Sequence, residues 1–222
     1  MELSEAISKR KSIRGYKPES VPMEVLKKVL ETATRSPSAM NTQPWEVTVL
    51  TGETLDKVRK ANIEMLMSGA EPWRSISYQG VHRQRQVDLA VQLFKLMGIA
   101  REDKEKRAQW LERGFRFFDA PAAIILSIDS SAPEWLALLD IGAFCQSICL
   151  AALEYGLGTC IEDQGTMFPD VLRRFTAIPE SKNIVISIAI GYPDRDFPAN
   201  KLESDREPVD SFTTWCGFEH SG

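Results

Sequence analysis

The stretch Leu150-Ala151-Ala152-Leu153-Glu154-Tyr155-Gly156-Leu157-Gly158-Thr159 decides the fold. Its first half closes a helix expected over 133–155 that is apolar on nearly every face. Gly156 and Gly158 end that helix, because glycine accepts the left-handed conformation of a helix C-terminus. A short strand is expected next, at 159–162. A helix apolar all round has to be buried all round. Ile141 to Leu153 is therefore either the central core helix or half of a subunit interface. Asp140, Gln146 and Glu154 interrupt the segment, which argues against a clean apolar span of about 20 residues for a membrane.

Working outward, Pro22 suits the first turn of a helix whose apolar positions Val25, Leu26, Val29, Leu30 and Ala33 recur at helical spacing. Pro37 ends it. Alternation and β-branching from Trp45 to Leu50 mark a strand, and helices are expected over 54–68, 83–98 and 103–118. Residues 69–80 look irregular. Ala122 to Ile128 is a nearly continuous apolar run, as in a strand buried on both faces. A small helix over 167–175 and a strand over 184–190 follow. This order gives an α+β fold, a small mixed β-sheet flanked by helices, rather than a regular βαβ series. The chain is read as one domain, 1–222, with an extended arm over about 195–222. A tail with no apolar pattern of its own needs a surface to lie on.

The 222 residues suffice for a sizeable core, and 43% hydrophobic with 26% charged content is ordinary for a globular chain. A formal net charge of −4 argues against a nucleic-acid partner, which calls for a basic excess. No apolar run follows Met1, so no secretory signal is expected. Cys145, Cys149, Cys160 and Cys216 form neither a disulfide framework nor a zinc pattern. They read as reduced thiols of a cytoplasmic protein. His82 and His220 are isolated. Neither Gly-x-Gly-x-x-Gly nor a P-loop is present. Glu102 and Lys106 are spaced for an i,i+4 pair.

Two segments carry the chemistry. Arg10-Lys11-Ser12-Ile13-Arg14 concentrates three cations and a hydroxyl, the groups that grip a phosphate. The alternative is a solvated basic turn capping the preceding helix. Ser36-Pro37-Ser38-Ala39-Met40-Asn41-Thr42-Gln43-Pro44-Trp45 is an amide-rich loop between a helix and a strand, where binding residues concentrate. Together they suggest a mononucleotide cofactor. Trp45 reads as a core anchor, and Trp73, Tyr78 and Phe118 as packing or as the lining of an aromatic pocket.

In their order and spacing, Arg10 to Arg14, Pro37 to Trp45, Leu150 to Thr159 and the late strand running into Gly191-Tyr192-Pro193 resemble the FMN-dependent nitroreductase family over nearly the whole chain. The resemblance implies an intertwined homodimer with FMN shared between subunits. It also implies ping-pong reduction of a small aromatic acceptor, such as a nitroarene or quinone, with NADPH or NADH as donor. By motif position, Arg10, Lys11, Ser12 and Arg206 would hold the FMN phosphate. Arg14 would lie near the flavin pyrimidine edge. Pro37, Ser38, Ala39 and Asn41 would approach from the other subunit. The backbone of Ile161 and Glu162 would lie near flavin N5. Gln79, Arg83 and Arg85 are candidates for further ring contacts. The same fold also serves dehydrogenases, dehalogenases and flavin-fragmenting enzymes, and a flavin-binding module without turnover is a further alternative.

Overall fold

The computed structural model describes residues 2–218; the end of the expected arm, with His220, lies outside the described residues. Among the described residues, seven α-helices and four strands follow the expected order: α1 (Leu3–Lys9), α2 (Met23–Ala33), β1 (Trp45–Thr51), α3 (Gly52–Met67), α4 (Gly80–Leu96), α5 (Lys104–Phe115), β2 (Ala122–Asp129), α6 (Glu134–Glu154), β3 (Gly158–Glu162), α7 (Pro169–Phe175) and β4 (Lys182–Gly191). The strands form one sheet in the order β1-β2-β4-β3, with β3 at an edge.

All three strand pairings are antiparallel. The parallel component expected of a mixed sheet is confined to a single bridge between Ser12 and Thr159. The apolar run of β2 thus reflects helices on both faces and not a parallel sheet. Ala122, Ile124, Leu126 and Ile128 pack with α2 and α6, while Ala123 and Ile125 pack with α3, α5 and α7. Fully burying each such isoleucine or leucine stabilises the fold by about 1.5–3 kcal/mol. Val185 is the extra residue of a β-bulge where the β2–β4 register shifts.

α6 packs along the sheet through Ile141, Phe144, Cys145, Ile148 and Cys149. Trp45 anchors the start of β1 by stacking on Phe144, with centroids 4.6 Å apart. Gly156, at φ 69°, ends α6. Its N–H donates to the Leu153 carbonyl at 3.1 Å and the Leu157 N–H to Ala152 at 3.0 Å, the paired bonds of a Schellman cap. Among the described residues α6 alone has the length and composition of a membrane span, and half of its most apolar 18-residue window is buried inside the fold, as in a core helix. Its face bearing Trp135 and Leu139 stays uncovered, 74% and 68% exposed. The central-core reading of α6 therefore holds for one face of the helix, and the opposite face stays uncovered in this chain.

Candidate active site

α1 ends at Arg10, whose N–H bonds to the Ala6 carbonyl at 3.0 Å, and the chain then runs extended beside β3. The Ile13 N–H donates to the Thr159 carbonyl at 2.9 Å. This approach requires Gly158: a Cβ there would stand 2.5 Å from Ile13 and 2.7 Å from Pro193. Beside the contact opens a cavity of about 520 Å³. Lys9, Arg10, Lys11, Arg195 and Lys201 bring five cations to it, and Glu203 brings the one carboxylate. Lys11 and Glu203 are 3.9 Å apart, with Glu203 largely in solvent, so they neutralise each other weakly. Leu153 and Leu157 form an apolar wall. Ser12 lies at the edge of β3, bridged to Thr159.

Arg14 is fixed through its backbone. Its N–H donates to Asn200 Oδ1 at 2.7 Å, and its carbonyl accepts from Arg113 Nη2 at 3.2 Å. Its guanidinium stands 5.9 Å from the centre of the Phe118 ring. Asn200 is buried, and its Nδ2 donates at 2.7 Å to the carbonyls of both Gly15 and Asp194. One side chain thereby staples the start of the C-terminal arm to the basic segment. Arg113 also donates to the Phe118 carbonyl at 3.3 Å and pairs with Asp119 at 2.9 Å. Phe117, Phe118 and Asp119 all have positive φ, between 51° and 58°. Three consecutive non-glycine residues in the left-handed region cost on the order of 1–2 kcal/mol each, and such strain gathers at functional sites.

At the end of β3, Ile161 is 40% exposed and Glu162 only 7%. Backbone groups alternate sides along a strand. Thr159 bonds outward to Ile13, so the Ile161 N–H is the next to face the open edge. The Glu162 carboxyl turns inward, contrary to a strand-end surface charge. It accepts from the Ser187 hydroxyl and, at 2.8 Å, from the Gly165 N–H. Burial pushes this carboxyl up to about 7, against the pull of those two bonds.

The amide-rich loop sits elsewhere. The Ala39 N–H points at the Asp140 carboxylate, 3.2 and 3.3 Å from its two oxygens. Ser36 Oγ bonds to Ser147 Oγ at 2.7 Å, and the Ser38 hydroxyl accepts from the Gln43 N–H at 3.0 Å. Met40, Asn41 and Gln43 have positive φ, and Met40 is 92% exposed. Asp140 holds this loop while Leu153 borders the basic cavity, about 20 Å further along α6 at ~1.5 Å per residue. Within one chain, the two sequence-derived halves of the site therefore do not converge.

Other candidates are distributed as follows. Arg206 bonds to the Ser204 carbonyl at 3.0 Å, the Ser204 hydroxyl at 2.8 Å and the Asp205 carbonyl at 2.8 Å, all in its own turn. Arg85 pairs with Glu207 at 3.0 Å, and Arg83 donates to Gln86 at 2.5 Å. Lys106 pairs with Asp103, the N-cap of α5, at 3.2 Å, and not with Glu102. Cys145, Cys149 and Cys160 are buried and Cys216 is exposed. Burial pushes Cys145 up to about 12 and Cys160 to about 11, so both stay neutral thiols. No cluster able to hold a metal occurs among the described residues. The sequence reading missed Asn200, Arg113, Arg195 and Lys201, whose local context is unremarkable. Asp140 carried a signal as the lone acid in the middle of an apolar helix.

A family model described as Nitroreductase family matches residues 7–192. The chain is 33% identical to the chloronitrobenzene nitroreductase of Comamonas testosteroni over 96% of both chains. It is 32% identical to the nitrobenzene nitroreductase of Ectopseudomonas oleovorans, again over 96% of each. Among solved structures, the FMN and NADPH-dependent nitroreductase NfnB from sphigopyxis sp. strain HMH superposes with a TM-score of 0.92 at 29% identity, over 98% of this chain and 100% of that one. NfnB from Mycobacterium smegmatis in complex with NADPH gives a TM-score of 0.88 at 26% identity, over 96% and 99%.

Proposed function

Because this chain belongs to the nitroreductase family, we infer that it is an FMN-dependent NAD(P)H oxidoreductase that reduces nitroaromatic and related flat acceptors. The observation that carries the reading is the basic cavity beside the open edge of β3: a phosphate corner adjoins an exposed backbone edge fit for a flat ring. The residues present fit FMN. Arg10, Lys11 and Lys201 line a cavity with more cations than carboxylates. Ile161 offers an exposed side chain and an outward N–H on the same strand edge. Arg206 follows in the same arm.

In this reading Arg10, Lys11 and Ser12 bind the phosphate through charge-assisted contacts. Asn200 and Arg113 fix the backbone of Arg14, so that its guanidinium offsets negative charge at the pyrimidine edge. The Ile161–Glu162 backbone lies against the ring, and Ser187 and Gly165 keep the Glu162 side chain turned away from it. When bound, FMN supplies the two-electron chemistry, taking hydride from NAD(P)H and reducing the acceptor. The protein adds position and charge, so no acid or nucleophile has to be aligned at the reacting atoms.

The site is taken to be shared in a homodimer, with Pro37, Ser38, Ala39 and Asn41 reaching FMN from the second subunit. Support comes from the roughly 20 Å along α6 that separate Ala39 from the basic cavity in one chain. The uncovered apolar residues Trp135, Leu139 and Met40 beside that loop add to it. The buried reduced thiols suit a cytoplasmic setting.

Anaerobic titration of the purified protein tests the reading. A bound flavin spectrum that bleaches with NADPH or NADH and recovers with nitrobenzene is the expected result. A protein that cannot be loaded with FMN, or flavin that neither donor reduces, overturns it.

A further inference from the structure

Between α4 and α5 lies a groove of about 630 Å³. Arg83 and Lys95 from α4, Arg101 from the connecting turn and Arg107 from α5 line it, with Phe94 and Val91 on its apolar wall and no carboxylate. Elsewhere this acidic chain neutralises helix cations: Lys57 with Glu53, Arg85 with Glu207 and Arg116 with Asp119. Among the described residues, none of the four groove cations has a carboxylate partner. Such a cluster repels itself in the free protein and attracts an anion.

Two of the cations are already positioned. The Arg107 guanidinium stands 4.7 Å from the centre of the Phe94 ring and donates to the Arg101 carbonyl at 3.4 Å. Arg83 is held by Gln86 at 2.5 Å. Guanidinium forks beside an aromatic face and an apolar wall are matched to a phosphate attached to a flat base. The volume falls within the range of small-molecule sites.

The groove also leads somewhere. It shares Phe94 and Arg107 with a second cavity of about 410 Å³, which Gln164 also lines. Gln164 follows Glu162 by two residues, at the end of β3. The two cavities therefore border one another at Phe94 and Arg107, and the second reaches Gln164, just past the strand end assigned above to the flavin ring.

We propose that this groove holds the 2′-phosphoadenosine end of NADPH and sets the preference for NADPH over NADH. The inference rests on the reading of a flavin reduced by NAD(P)H. NADH carries a hydroxyl where NADPH carries the phosphate, so four unpaired cations distinguish the donors at a point remote from the hydride.

Calorimetric titration of the FMN-loaded protein with adenosine 2′,5′-bisphosphate and with adenosine 5′-monophosphate tests this directly. The bisphosphate should bind roughly 10- to 100-fold more tightly, the range of one or more charge-assisted contacts. The double variant Lys95→Gln with Arg101→Gln should remove most of that difference. It should also bring the ratio of kcat/KM for NADPH to that for NADH toward one, with flavin content unchanged. Equal affinity for the two nucleotides overturns the proposal. So does a double variant that keeps the difference, or one that loses affinity for 4-nitrobenzoate instead. Flavin that neither donor bleaches defeats the proposed function and leaves the calorimetric comparison to decide on the groove.

Discussion

Asn200→Ala is expected to cost both stability and flavin affinity. The Asn200 side chain makes three bonds of 2.7 Å: it accepts from the Arg14 N–H and donates to the Gly15 and Asp194 carbonyls. The residue is 6% exposed, so water replaces those bonds poorly. At about 0.5–1.5 kcal/mol net per bond, the loss comes to roughly 2–4 kcal/mol, a large share of a typical 5–15 kcal/mol total. Urea unfolding of the flavin-free protein at constant m-value measures it. The same variant frees the backbone of Arg14 and the start of the arm carrying Lys201, so FMN affinity should weaken as well, read by quenching of flavin fluorescence. Asn200→Asp keeps the acceptor for Arg14 but loses both donors and buries a charge, and should be no better than Asn200→Ala. A loss under about 1 kcal/mol with unchanged FMN affinity would refute the stapling role.

Arg10→Ala should weaken FMN by about 1.5–3 kcal/mol while leaving riboflavin, which lacks the phosphate, nearly unaffected; unchanged FMN affinity in Arg10→Ala with Arg206→Ala would remove the phosphate assignment. Glu162 titrates near 7 in the folded state against an ordinary 4.5, because burial disfavours its charged form. Its favourable contribution is therefore complete below pH 4.5 and is lost as pH rises to about 7, a change of roughly 3 kcal/mol. Glu162→Gln should flatten that dependence between pH 5 and pH 8 in urea midpoints, and an unaltered slope would show that the carboxyl is not desolvated. Leu139→Asp places a charge on the exposed apolar face of α6. Sedimentation velocity should show dissociation to a monomer with loss of flavin, and an intact dimer would put the interface elsewhere.

The sequence by itself determined the elements. Apolar spacing fixed α2, α6 and the strands to within a few residues, because periods of 3.6 and 2 are local properties of the backbone. It also located the Schellman end of α6 at Gly156, since few residues but glycine accept a φ of 69°. The cation cluster at Arg10 to Arg14 was legible for a similar reason: its density is itself the signal. The tertiary structure decided what those elements meet. The sheet is antiparallel because of the paths taken between strands, which apolar runs do not encode. The inward turn of Glu162 depends on Ser187 arriving from β4, and the pinning of Arg14 on Asn200, 186 residues away. Left-handed Phe117, Phe118 and Asp119 run against their own local preference and persist only because surrounding contacts hold them. Above all, the two halves of the candidate site are separate features in sequence, and only the packing along α6 shows that Asp140, which holds the Ala39 end of one, lies about 20 Å from Leu153, which borders the other.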